Sequence, residues 1–489
     1  MLFSRKDTAA DELPDFHPMG VLRDWKGGHS FHIGDALTGV AAFGATGSGK
    51  TSGVAKHLAT GYLAADFGGL VLCAKKEERQ QWERWAKEVE REDDLIIIDA
   101  SGDGLFNFLD WEASRNGEGG GLTLNIVALL DEIATAIAGG AGKAEGGGDN
   151  KFFEDALHYM NMNLVELPLL AGLTVSLPLL RSIVNTAPHT LEEAKNEAWQ
   201  QDSVCFAILT EAEQRVNKEN PDQLDDFEEC KNYWLQEFPA LSDKTRSIIT
   251  LSFSMLVKPF LTRPLRRLFS TETTVTPEDT FNGKIIIIDL PVQEFRLAGR
   301  VANLVWKYCF QVAVLRRTPP KNGYLRPVFL WADEAQNFVT EFDAEYQAVA
   351  RSAGGCTVYL TQNRESYRRV LGNDDAVDSL LGNLQAKFFC QNSGETNEWA
   401  AKLLGERWVN VTSTNFGQSN NNDGDKGKSQ SGGVSTSEQR RYFVEPSRFT
   451  TLKRGGEAYK FQVEAIVYKG GHLFDKDLPY YLMTFNQTR

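Results

Sequence analysis

Residues 44–51 read Gly-Ala-Thr-Gly-Ser-Gly-Lys-Thr. The pattern G-x-x-x-x-G-K-T is that of the phosphate-binding loop (P-loop, Walker A motif) of nucleoside triphosphatases. Its glycines let consecutive backbone N–H groups point inward around an anion, and a following helix adds the positive end of its dipole. The apolar run Leu37–Phe43 predicts a strand before the loop, and Ser52–Leu63 predicts a helix after it. The alternative interpretation is a glycine-rich turn with an incidental lysine.

Each residue type in this loop has a predicted task. Lys50 can reach the outer phosphates of a nucleotide, and the hydroxyl of Thr51 can ligate Mg²⁺. The predicted nucleotide-binding residues are Gly44, Ala45, Thr46, Gly47, Ser48, Gly49, Lys50, Thr51 and Ser52.

A second motif ends an apolar run in two acids. Val328–Ala332 predicts a buried strand, and Asp333 and Glu334 follow it. A nucleotide hydrolase needs one acid to hold the metal and another to orient and deprotonate the attacking water. We therefore predict that Asp333 serves Mg²⁺ and that Glu334 is the catalytic base. The alternative is that these acids cap the helix that follows.

Two polar residues lie at informative distances from this motif. Arg351 comes eighteen residues after Asp333, at the end of a predicted helix over 342–351. Gln362 comes eleven residues later, at the tip of the predicted strand Thr357–Thr361. Gln362 would then lie beside the γ-phosphate and report nucleotide state. Arg351 would act either as an arginine finger on a neighbouring subunit or as a surface charge favoured at a helix C-terminus.

Seven short apolar runs predict the strands of an open, mostly parallel α/β sheet, because they are apolar on both faces. From residue 112 to 245 the strand patterns stop, and a helical pattern predicts an all-α insertion. The predicted division is an N-terminal extension over 1–35, a nucleotide-binding domain in two parts over 36–111 and 246–475, the insertion over 112–245, a flexible loop over 416–438 and a C-terminal tail over 476–489. The predicted strands are Leu37–Phe43, Leu70–Cys73, Leu95–Ile98, Lys284–Leu290, Val328–Ala332, Thr357–Thr361 and Ala386–Cys390.

The charge of the chain does not predict a surface coated with cations for nucleic acid, because the net charge is −14. The segment 185–244 contains 14 acidic and 5 basic residues, so the rest is only mildly acidic and a local basic track is allowed. Lys258, Arg263, Arg266 and Arg267 form one basic stretch, interpreted as a solvated helix end rather than a DNA contact.

Other features give predictions of packing rather than chemistry. Six scattered cysteines predict reduced, buried thiols. Trp82 and Trp85 are spaced to pack one face of a helix rather than to stack on bases. The most apolar stretch, Leu164–Leu180, contains Glu166 and two prolines, and predicts two buried helical pieces rather than a membrane span.

Together these residues resemble the type IV coupling protein family, the TraG/TraD-like ATPases within the wider FtsK/HerA group of DNA translocases. Phe329–Gln336 reads FLWADEAQ, and Arg351–Gly355 is followed by the strand that ends in Gln362. The matching motifs elsewhere are Leu72–Glu77, Phe106–Asp110, Lys244–Ser247, Phe449–Leu452 and Gly455–Ala458. One departure lies at Cys73, where the family often has an acid, and no function is assigned to that position.

The resemblance implies a RecA-like P-loop NTPase domain with a mostly parallel sheet plus an all-α inserted domain. It implies ATP and Mg²⁺ as cofactors and a homohexameric ring with DNA, expected to be single-stranded, in its central channel. Lys50, Thr51, Asp333 and Glu334 would act within one subunit, Arg351 would act on the next, and Gln362 would sense the γ-phosphate.

Three functions are compatible with these patterns. The first is an ATP-driven motor that moves DNA or a DNA–protein conjugate in conjugation, with a relaxase or secretion-channel proteins as partners. Family members usually begin with membrane helices, whereas no segment here is predicted to span a membrane. We therefore expect a cytoplasmic protein, held at the inner membrane through partners. The alternatives are a soluble HerA-like ATPase that works with a nuclease or defence effector, and a nucleotide-gated assembly scaffold with low turnover.

Overall fold

The chain was analysed as a computed structural model, which describes residues 13–138, 148–217, 219–419 and 429–487. Its strands are β1 (Val21–Asp24), β2 (Ser30–His32), β3 (Val40–Phe43), β4 (Gly68–Leu72), β5 (Leu95–Ile98), β6 (Ile285–Ile288), β7 (Val328–Ala332), β8 (Gly355–Thr361), β9 (Ala386–Phe389), β10 (Glu406–Ser419), β11 (Ser429–Tyr442), β12 (Gln462–Lys469) and β13 (Tyr481–Asn486). Its helices are α1 (Ile33–Leu37), α2 (Lys56–Ala64), α3 (Glu78–Glu88), α4 (Phe108–Ala113), α5 (Thr123–Ala138), α6 (Gly148–Leu170), α7 (Leu177–Thr186), α8 (Glu197–Asp202), α9 (Val204–Arg215), α10 (Pro221–Asn232), α11 (Phe238–Ala240), α12 (Asp243–Val257), α13 (Leu265–Phe269), α14 (Val292–Leu315), α15 (Phe342–Val349), α16 (Arg364–Leu371), α17 (Asp374–Asn383), α18 (Glu395–Leu404) and α19 (Pro446–Thr450).

Nine strands form one sheet in the order β13-β12-β9-β3-β8-β7-β4-β6-β5. The seven strands from β9 to β5 run parallel, and β12 and β13 complete the sheet in antiparallel pairings. The predicted α/β class with a mostly parallel sheet is therefore confirmed. Each of the seven predicted strands overlaps an observed strand of this sheet.

Both faces of the sheet are buried, which explains why its strands are apolar throughout. In β3, Ala41 and Phe43 pack into one hydrophobic core, whereas Val40 and Ala42 pack into the core on the opposite face. The second core contains α2 and the paired indoles of Trp82 and Trp85, as their spacing predicted.

The helices α4 to α13 lie between β5 and β6 in the chain, and among the described residues no strand interrupts them. Their apolar side chains continue the core of one sheet face without a break. The stretch Leu164–Leu180 is divided between α6, which contains Pro168, and α7. Within the described ranges, no helix is both long enough and apolar enough to cross a membrane.

Two parts of the predicted division, the flexible loop and the C-terminal tail, contain strands instead. The loop predicted over 416–438 belongs largely to an antiparallel hairpin, because β10 and β11 pair from Glu406↔Tyr442 to Ser419↔Ser429; residues 420–428 lie outside the described part. The hairpin is held together by backbone hydrogen bonds, which form whatever the side chains are. Its polar composition therefore did not predict strands. The tail predicted over 476–489 contains β13, an edge strand of the main sheet that buries Met483 and Phe485.

A buried ion pair and its hydrogen bonds connect α14, α15 and β8. Lys307 of α14 donates to Asp343 of α15 at 2.6 Å, and each side chain is only 1% exposed. Asp343 also accepts hydrogen bonds from Gln311 and from the hydroxyl of Tyr359 in β8, both at 2.7 Å. A fully hydrogen-bonded pair of this kind fixes the relative positions of the elements that carry it.

Candidate nucleotide-binding site

The P-loop joins β3 to the helix that begins at Thr51, at the carboxyl edge of the parallel sheet. Gly47 and Gly49 have positive φ values of 73° and 81°, which side chains other than glycine rarely adopt. A Cβ atom on Gly49 would also lie 2.3 Å from the side chain of Val463. The hydroxyl of Ser48 is buried and has no hydrogen-bond partner among the described atoms. A phosphate oxygen in the loop would supply one, so the loop fits an anion.

The two motifs meet at Asp333. Lys50 Nζ donates to Asp333 Oδ1 at 3.0 Å, and Thr51 Oγ1 donates to Oδ2 at 2.8 Å. Asp333 is buried, and burial alone would raise its pKa; the charges of Lys50 and Lys75 outweigh that effect and lower the pKa. Asp333 is therefore held as an anion beside the hydroxyl of Thr51. This donor pair suits Mg²⁺, which binds through one or two protein oxygens together with phosphates and water.

Glu334 is held in a constrained conformation at the end of β7. Its φ of 51° lies in the left-handed region. Its carboxylate accepts from Lys75 Nζ at 2.7 Å and from Gln336 Nε2 at 2.9 Å. Burial would raise its pKa, but Lys50, Gln336 and Lys75 together lower it. Glu334 is therefore an ionised carboxylate that faces the cleft, as a general base requires.

Gln362 follows β8, which lies between β3 and β7 in the sheet. Its side-chain nitrogen is 3.5 Å from Glu334 Oε2, and its backbone oxygen accepts from Asn392 at 2.7 Å. The structure thus brings Gln362 between the P-loop and the acidic motif, beside the residue assigned as base.

Arg351 is not part of this cluster. It lies in the short helical turn Ala350–Ala353, which precedes β8, whereas Gln362 follows β8. The seven residues of β8 separate the two, a span of about 23 Å at a rise of roughly 3.3 Å per residue. The side chain of Arg351 is exposed. Within one chain, Arg351 therefore lies near the amino ends of the parallel strands, whereas the P-loop lies at their carboxyl ends.

The sequence analysis missed Lys75 and Gln336 as residues of the site. Lys75 follows β4, and β4 pairs with β7 from Gly68↔Val328 to Leu72↔Ala332, so the ends of the two strands are neighbours. Gln336 bridges Glu334 and the hydroxyl of Thr361, to which it is linked at 2.8 Å. The turn after β4 has Cys73 where the family often has an acid. The contact of Lys75 in this turn with Glu334 follows only from the order of the strands in the sheet.

These residues surround a cleft of about 530 Å³, large enough for a nucleotide. The P-loop and Lys75 form one side of it, and α3 forms another. The lining residues beyond the P-loop are Ser52, Lys56, Lys75, Gln81, Arg84, Trp85, Glu88, Glu334, Gln362 and Gln487. No group of three or more His, Cys, Asp or Glu side chains suited to a metal occurs in the described part of the chain. Thr51 and Asp333, whose oxygens lie 2.8 Å apart, are the residues that would hold Mg²⁺ here.

Comparison with known proteins agrees with this architecture. Residues 327–454 match the family described as the TraM recognition site of TraD and TraG. This match covers the acidic motif, Arg351 and Gln362, and it confirms over that range the resemblance to TraG/TraD-like proteins. No curated protein sequence matches the chain.

The fold is that of a bacterial conjugative coupling protein, TrwB. The unbound form of TrwB superposes with a TM-score of 0.59 at 16% identity, over 96% of this chain and 89% of that one. TrwB with the non-hydrolysable ATP analogue ADPNP gives a TM-score of 0.58 at 16% identity, with the same coverage of both chains. TrwB with ADP and Mg²⁺ gives 0.59 at 15% identity, over 94% and 88%. At these identities the likeness establishes the fold.

Proposed function

We propose that this chain binds ATP with Mg²⁺ and hydrolyses it as a coupling-protein-like motor in conjugation. The observation that carries the proposal is the contact of Lys50 and Thr51 with Asp333, with Glu334 beside it. The TrwB-like fold and the TraG/TraD match support the same assignment, because TrwB has been crystallised with an ATP analogue and with ADP and Mg²⁺.

Each side chain has one task in the proposed reaction. The P-loop amides and Lys50 bind the phosphates and neutralise charge that develops on them. Thr51 and Asp333 hold Mg²⁺, which when bound neutralises the phosphate oxygens. Glu334 orients the attacking water and accepts its proton. Gln362, next to Glu334, reports the presence of the γ-phosphate to β8.

The motor is proposed to be a homohexameric ring with single-stranded DNA in its channel, in which Arg351 completes the site of the next subunit. The exposed position of Arg351, at the sheet edge away from its own P-loop, supports a role between subunits. The helices from 112 to 245 form the proposed inserted domain. We further propose that the ring works at the cytoplasmic face of the inner membrane, with a relaxase or secretion-channel proteins as partners.

Phosphate release measured without DNA, with single-stranded DNA and with double-stranded DNA tests the proposal, together with the mass of the protein in solution. We expect ATP turnover that single-stranded DNA stimulates in a hexamer-sized species. ATP binding without turnover in any of the three conditions would overturn the motor and favour a nucleotide-gated scaffold. Stimulation by double-stranded DNA alone would favour a HerA-like translocase.

A further inference from the structure

Lys75 brings a second ammonium group to the candidate site. It lies in the turn between β4 and α3, and its Nζ is 2.7 Å from Glu334 Oε1 and 3.8 Å from Asp333 Oδ2. The side chain is 31% exposed and lines the same cleft as the P-loop. Lys75 therefore faces both acids and the space where phosphates would lie.

In this arrangement both oxygens of the Glu334 carboxylate already accept a hydrogen bond. Lys75 occupies one carboxylate oxygen, and Gln336 occupies the other at 2.9 Å. A carboxylate engaged by an ammonium group and an amide accepts a further proton poorly, because both donors stabilise its charged form. Loss of the Lys75 contact would leave Oε1 of Glu334 open to a water molecule in the cleft.

The backbone of the turn is fixed while the Lys75 side chain can move. Glu78 is buried, and its Oε2 accepts from the backbone N–H groups of Ala74 at 2.7 Å and Lys75 at 3.3 Å. Beyond this anchored backbone, Lys75 has a flexible four-carbon stem that ends in the cleft. Its ammonium can therefore turn from Glu334 toward the P-loop without refolding the turn.

We propose that Lys75 is a second phosphate-binding lysine, which pairs with Glu334 in the nucleotide-free site and is drawn away by the terminal phosphate of a nucleoside triphosphate. The terminal phosphate carries more negative charge than one carboxylate, so it competes for the ammonium group. Its arrival frees Glu334 to accept a proton from water. A diphosphate lacks the competing group and leaves the Lys75–Glu334 pair intact. This inference rests on the proposed nucleotide-binding function of the P-loop.

Equilibrium binding of fluorescent ADP and of a fluorescent non-hydrolysable ATP analogue, both with Mg²⁺, tests the proposal without any turnover. In Lys75→Ala we expect affinity for the analogue to fall roughly tenfold or more, as expected for loss of one charge-assisted contact, and affinity for ADP to change less than about twofold. Lys75→Arg should restore most of the preference for the analogue. Lys76→Ala is the matched control, because Lys76 is 68% exposed and pairs with Glu294 instead.

Steady-state kinetics add a second measurement. Loss of a ground-state phosphate contact predicts a higher KM for ATP in Lys75→Ala with kcat changed much less. Unchanged analogue affinity in Lys75→Ala would overturn the proposal, and so would equal losses for ADP and the analogue. The wild type could bind both nucleotides without hydrolysing ATP. That result would overturn the proposed hydrolysis, but a loss of affinity for the ATP analogue alone in Lys75→Ala would still support the contact between Lys75 and the terminal phosphate. If the wild type binds neither nucleotide, the proposed function itself fails.

Discussion

Lys50 Nζ and Asp333 Oδ1 form a buried ion pair of 3.0 Å, although 282 residues separate the two positions in the chain. Each side chain is 6% exposed. The pair joins the P-loop to the end of β7. Lys50, which is proposed to bind phosphate, and Asp333, which is proposed to bind Mg²⁺, therefore stabilise one another.

Lys50→Ala should lower the stability of the nucleotide-free protein as well as its nucleotide affinity. The substitution leaves Asp333 buried with only the more distant ammonium of Lys75, and an uncompensated buried charge costs about 3 kcal/mol. Denaturant unfolding in the absence of nucleotide measures this loss. Lys231→Ala breaks a more exposed pair with Glu213 and should cost less than about 1 kcal/mol. Equal stability of Lys50→Ala and the wild type would show that the ion pair contributes nothing to the free protein.

Glu334→Gln should bind nucleotide and fail to hydrolyse it. The amide retains the size of the carboxylate but cannot accept a proton from water, so kcat should fall by roughly 10²–10⁴-fold. Phosphate release and binding of the ATP analogue with Mg²⁺ measure the two effects separately. Turnover within about threefold of the wild type would exclude Glu334 as the base and would redirect attention to the other polar groups of the cleft.

Arg351→Ala should leave each P-loop intact and abolish hydrolysis in the assembled protein. Because Arg351 lies across the sheet from its own P-loop, it can reach a nucleotide only on another subunit. The decisive measurement mixes two inactive variants. Lys50→Ala subunits supply Arg351 to neighbouring Arg351→Ala subunits, whose own P-loops are intact, so mixed rings should regain part of the activity. Mixed rings that remain inactive, or wild-type turnover by Arg351→Ala alone, would contradict the assignment.

Local patterns were sufficient to predict the P-loop, the acidic motif and the sheet strands, because each depends on a few consecutive residues. The position of Asp333 and Glu334 at the end of a buried strand could be predicted from one apolar run and the two acids that follow it. The start of β3 was predicted less accurately, at Leu37 instead of Val40. Gly39, at a φ of 77°, separates β3 from α1, but the apolar composition continues across this break and hides it.

Features that depend on strand order or on backbone pairing could not be predicted in the same way. Lys75 meets Glu334 only because β4 neighbours β7. The hairpin of β10 and β11 has few apolar residues, so its composition suggested a loop. The strand β13 carries a sequence signal, because Tyr481, Met483 and Phe485 alternate along it with more exposed residues.

The buried imidazole of His57 predicts a loss of stability in mild acid. His57 Nε2 accepts from Trp25 Nε1 at 3.2 Å, and burial, assisted by the charge of Arg23, lowers the pKa of His57 from 6.5 to about 3. Between these values the unfolded chain binds a proton that the folded protein does not, so stability falls as the pH falls. From pH 7 to pH 5 this group alone should cost about 2 kcal/mol.

Denaturant unfolding at several pH values measures this dependence. His57→Gln keeps a hydrogen-bond acceptor near Trp25 but cannot titrate in this range, so its stability should fall by about 2 kcal/mol less between pH 7 and pH 5 than that of the wild type. His189→Gln, at an exposed position, should reproduce the wild-type slope. If His57→Gln instead follows the wild-type curve, the pKa of His57 is the same in the folded and the unfolded protein, and another group causes any acid sensitivity.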